Sequence, residues 1–257
     1  METHPMNATT NPVKIAKSFS RVQSNLTRMD GNLTQWEHSR RTYPHPSVRD
    51  SFTSMATDLD NATLALKDLH PEATGLMDNL KEDTLNLGVN AGMTGAMSRS
   101  SSVFGSGWSR DLDSSIEDTR QALDLATQPA EPGQSTPPDP LEVLKDLSDV
   151  QADLTRWDAS FTQWQNSGRI YPSPGVSQEL KEVAGALYDA RDAVRALHPD
   201  QTELLKSLQK DIIKVASNAG TTRHMSSQSS TFGRGWRETM DGPISDVRQA
   251  IDVIAEV

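Results

Sequence analysis

Apolar residues recur along this chain at alternating steps of four and three, the spacing that keeps one stripe of a helix facing a partner. The first run is Ile15, Phe19, Val22, Leu26, Met29, Leu33 and Trp36, and the second is Val48, Phe52, Met55, Leu59, Ala62, Leu66 and Leu69. A third continues the phase through polar positions: Leu76, Leu80, Asp83, Leu87, Asn90, Thr94, Met97, Ser101 and Phe104. Gly88, Gly92 and Gly95 lower its helix propensity, yet the unbroken phase predicts a helix persisting to near Ser102. Trp108, Leu112, Ile116, Thr119, Leu123 and Ala126 predict a fourth. Pro46 suits a first helical turn, where its missing N–H costs nothing, and Glu72 is expected in the first turn of the third helix, where a carboxylate suits the helix dipole.

The whole pattern then repeats. Val22-Gln-Ser-Asn-Leu-Thr-Arg lies above Val150-Gln-Ala-Asp-Leu-Thr-Arg, and the offset of 128 holds without a gap to the end of the chain. Roughly two positions in five are identical at that spacing, which marks internal duplication. The sequence therefore predicts an all-α protein: a disordered tail over 1–12, one unit over 13–127, a Pro-rich linker over 128–140 and a second unit over 141–257. Four amphipathic helices with short connections predict an up-down-up-down antiparallel four-helix bundle in each tandem copy. The linker suggests that the copies are joined without sharing a core.

In that topology one pole gathers the aromatics kept in both copies. Trp36, Tyr43, Phe104 and Trp108 meet there in the first unit, and Trp164, Tyr171, Phe232 and Trp236 in the second. Arg41 and Arg169 accompany them, with Phe-Gly-x-Gly-Trp turns at 104–108 and 232–236. Asn90, Thr94 and Ser101, with Asn218, Thr222 and Ser229, lie along the seam leading to this pole. Two expectations compete: the aromatics plug the open end of a bundle, or the pole with its polar seam forms a pocket or docking face. Asp83 reads more simply as a register-fixing polar residue.

Composition narrows the function. A net charge of -10 counts against nucleic acid, whose phosphates need clustered cations in excess. No cysteine is present, which removes thiolate catalysis and thiolate metal sites. His70 and His198 alone among histidines recur, each before proline at a helix end where an imidazole caps carbonyls, and no second ligand accompanies them. The serine-rich stretch 98–102 has no histidine base in reach in sequence. No metal, no cofactor and no catalytic group is therefore expected. No run approaches the ~20 apolar residues of a spanning helix, so an integral membrane protein is not expected, and a cytoplasmic protein or one exported without a classical signal peptide is. The leading expectation is a non-enzymatic binding protein with two equivalent modules, its partner a protein. Alternatives are a carrier of a small apolar or amphipathic ligand, and an exported effector or toxin component touching a host protein or membrane.

Overall fold

The computed structural model describes residues 11–39, 42–104, 112–128, 138–168, 171–233 and 235–255. These form eight α-helices and no strand: α1 (Pro12–Ser39), α2 (Pro46–Leu69), α3 (Thr74–Ser100), α4 (Asp113–Ala126), α5 (Pro140–Ser167), α6 (Pro174–Leu197), α7 (Thr202–Ser227) and α8 (Asp241–Ala255). None is long and apolar enough to cross a membrane. Parts of the linker and the tail lie outside the described residues.

Local chemistry sets the helix ends. Proline opens α1, α2, α5 and α6, with its fixed φ and absent donor, and Asp139 and His45 accept backbone N–H bonds from Leu141 and Ser47 at 3.0 and 3.3 Å. At the other ends, the backbone N–H groups of His70 and His198 donate to Leu66 and Val194 at 2.7 Å, so these residues cap through the main chain rather than the ring. Glu72 sits in the turn ahead of α3 instead of within its first turn, and its carboxylate meets His70 Nδ1 at 3.0 Å. α3 and α7 end in the same way: Ser102 and Ser230 donate to Met97 and Met225, while Ser101 and Ser229 take left-handed φ of 53° and 49°.

Within each set of four helices the chain closes a ring, α1 to α2 to α3 to α4 and back, and α5 to α6 to α7 to α8 and back. The seams read from the sequence are the buried faces of α1, α2, α5 and α6.

The expectation of two unshared cores fails at α3 and α7, which pack on one another about as extensively as either does on its neighbour in the ring. From Asp83 to Met97 only Asn86 escapes burial, so α3 has no solvent face there. Leu85, Val89 and Met93 belong to the apolar cluster of the second unit, and Ile213, 128 positions after Leu85, belongs to that of the first. The physical reason is the pair Gly92 and Gly220. A Cβ on Gly92 would collide with the carbonyl oxygen of Ser217, and one on Gly220 with that of Val89, so only glycine lets the two backbones approach this closely.

Candidate functional site

Contacts along the crossing climb together. Gly88 faces Ala216, Gly92 faces Ser217 and Thr221, and Ser100 Oγ lies 3.3 Å from His224 Nε2. α3 and α7 thus run in the same direction, and their C-terminal ends, with the aromatic residues gathered there, emerge at one end of the molecule. Arg49 at the start of α2 forms an ion pair with Glu238 ahead of α8, linking the two poles directly.

At each pole a half-buried tryptophan lies against a buried phenylalanine. Trp36 and Phe104 have ring centroids 5.0 Å apart, and Trp164 and Phe232 are 5.2 Å apart, with Phe161 adding a stacked contact to Phe232 at 5.6 Å. The backbone N–H of Phe104 donates to Thr42 at 3.2 Å and ties the end of α3 to the α1–α2 connection. That connection presents a tyrosine to solvent in both units: Tyr43 is 54% exposed and Tyr171 56%. Val103 is exposed beside Phe104. The aromatics therefore divide, Phe104 and Phe232 closing the bundle end while Tyr43 and Tyr171 face out.

The polar seam residues are mostly engaged within the protein. Asn218 donates to the carbonyl of Glu238 at 3.0 Å and accepts from its N–H at 2.7 Å, clamping the segment that precedes α8. That clamp and a positive φ at Gly235 belong to an irregular stretch, so Trp236 stands before α8 rather than on it. Thr94 and Thr222 return their hydroxyl protons to carbonyls of their own helices, at 3.0 Å to Asn90 and 2.8 Å to Ala219. Asn90 is buried, and neither side-chain atom has a partner among the described residues. Ser101 and Ser229 are exposed left-handed caps and lie off the buried seam. Arg41, Trp108 and Arg169 fall outside the described residues.

Sequence reasoning missed a carboxyl pair kept in both units. Asp83 on α3 interacts with Asp118 on α4, and Asp211 on α7 with Asp246 on α8, each pair 128 positions from the other. Burial pushes Asp83 up to about 7, with Asp118 adding to the shift and a 2.7 Å hydrogen bond from Ser115 opposing it. Burial and the bond shared with Asp246 also push Asp211 up to about 7, against Lys214 at 3.0 Å. The retained identity of all four residues at a fixed offset was the available signal.

Comparison with protein-family models, with curated proteins and with solved structures finds no match for this chain.

Proposed function

We propose that this is a non-enzymatic binding protein whose two tandem four-helix modules, joined by the Pro-rich linker, present two equivalent aromatic poles to one protein partner. The observation that carries the reading is the pair Tyr43 and Tyr171, large rings left in solvent at equivalent positions and brought to one end of the molecule by the α3–α7 crossing. An outward site is favoured over an interior ligand pocket because Thr94, Thr222 and Asn218 already spend their hydrogen bonds inside the protein.

Charge in the sequence supports an acidic partner surface. Stretches 36–50, 97–112, 164–178 and 225–240 contain eight arginines and four carboxylates; 17 cations and 31 carboxylates remain elsewhere, so these stretches carry +4 and the remainder -14. A cation excess in these stretches, read from the sequence, favours an acidic partner and makes the encounter salt-dependent.

The test is a crosslinking capture from cells of the source organism with the natural chain, with Tyr43→Ala, with Tyr171→Ala and with both. Either single change is expected to weaken capture of the same protein, the double change to abolish it, and added salt to weaken it throughout. Retention of every association by the double variant, with helix content intact, would remove the reading.

A further inference from the structure

The contacts across α3 and α7 are reciprocal. Gly92 against Ser217 maps onto Gly220 against Val89 when 128 is added to one side and taken from the other. Leu85 in the second core maps onto Ile213 in the first. Lys81 pairs with Asp189 at 2.6 Å, and at the equivalent positions Gln209 donates to Asn61 at 3.0 Å. Reciprocity of this kind is the signature of a twofold, isologous interface.

Several departures from reciprocity fall where like units would meet badly. A Cβ on Gly88 would stand 2.7 Å from Cβ of Ala216, so alanine fits on one side only because glycine stands on the other. Asp60 and Thr63 on α2 correspond to Tyr188 and Arg191 on α6. The Arg191 side chain is 1% exposed and its guanidinium pairs with Asp60, whose Oδ2 also accepts from Gln209 at 2.7 Å. Arg191 lies over the Tyr188 ring at 4.2 Å and bonds Asp192 at 2.8 Å, and Asp192 is held in turn by Lys67 of the first unit at 2.7 Å.

We propose that the α3–α7 face, with α2 and α6 flanking it, is a dimerisation surface made selective for the unlike unit: each half of this chain fits the other half of the same chain. Pairing two second units would set Ala216 against Ala216 and bury Arg191 beside Tyr188 without the carboxylate of Asp60. Pairing two first units would turn Asp60 toward Thr63, leave Lys81 as the cation at the Gln209 position, and open a void where Gly88 now receives Ala216. The linker then serves to keep the halves at high local concentration rather than to hold them together.

The test uses the full chain with a protease recognition sequence placed in residues 129–137, cleaved after folding and weighed by native mass spectrometry. The two fragments are expected to remain a 1:1 complex at micromolar concentration, and to return to that complex alone when unfolded in urea and refolded together. In the cleaved protein, Asp60→Arg sets two cations against each other and is expected to weaken association at least tenfold; D60R/R191D restores it. Separation of the natural fragments, statistical mixing into like pairs on refolding, or failure of the exchanged pair to hold together would each overturn the proposal. Should D60R alone not fold, the exchanged variant decides.

Discussion

Asn218 shows how one residue kept in both units serves structure at the candidate site. Its amide fills both backbone groups of Glu238, a carboxamide supplying at once the donor and the acceptor that a main-chain N–H and C=O require. Asn218→Ala would leave a part-buried backbone donor and acceptor unpaired, and urea denaturation is expected to show a loss of about 1–3 kcal/mol. Asn218→Asp keeps the acceptor toward the Glu238 N–H but loses the donor, so an intermediate loss is expected. Equal stability of all three proteins would show that the clamp carries no weight. The exposed tyrosines follow another logic. The hydrophobic pattern already set Phe104, in phase with the third run and fully buried, apart from Tyr43, which lies on no run and stands in solvent. Repetition in the second unit located both, and the packing agrees with that separation.

Among the helices, α1 and α5 were legible in full because each buries a single stripe and turns the rest to water, while α2 and α6 also bury Ala56, Asp60 and Thr63, and Ala184, Tyr188 and Arg191, toward the other unit, which the heptad stripe alone did not show. α3 and α7 were legible by half. Their heptad stripe faces the ring as expected, but a second face buries Leu85, Val89 and Met93 with Gly88 and Gly92 on α3, and Ile213 with Ala216 and Gly220 on α7, where small residues interrupt the apolar spacing. Gly88 and Gly92, which lower the helix propensity of α3, are what allow the close helix crossing. The carboxyl pairs between α3 and α4 and between α7 and α8 give these elements a pH response. Asp83 and Asp211 sit near 7 when folded against 3.8 as the ordinary value. Each takes up a proton on folding between those pH values, so its contribution to stability is fully present at the acid side and is lost as pH rises toward 7. The slope is at most about 1.4 kcal/mol per pH unit for each group. Urea denaturation from about pH 5 to 8 is expected to show stability falling and then levelling. Asp83→Asn with Asp211→Asn, which imitates the protonated form, is expected to flatten that slope and to be the more stable protein above pH 7; an unchanged slope would exclude these pairs as its source.

At the scale of the whole molecule, the α3–α7 crossing and the Arg49–Glu238 and Arg191–Asp60 ion pairs hold the two poles at their spacing. A flexible tether would give two sites an effective concentration that falls as the tether lengthens. A rigid crossing gives a fixed separation independent of tether length. Inserting about ten Gly and Ser residues within 129–137 is therefore expected to leave the particle's radius of gyration and its thermal midpoint nearly unchanged, since such an insertion adds only a few ångströms of coil reach and little loop-closure entropy. Gly92→Leu with Gly220→Leu, which forces the backbones apart at the crossing, is expected to enlarge the particle in small-angle scattering and to lower the midpoint sharply. If the linker insertion separates the units while the glycine variant remains compact, the tether and not the crossing sets the geometry. Capture of the proposed acidic partner should then follow tether length; on the packing described, it follows the glycines.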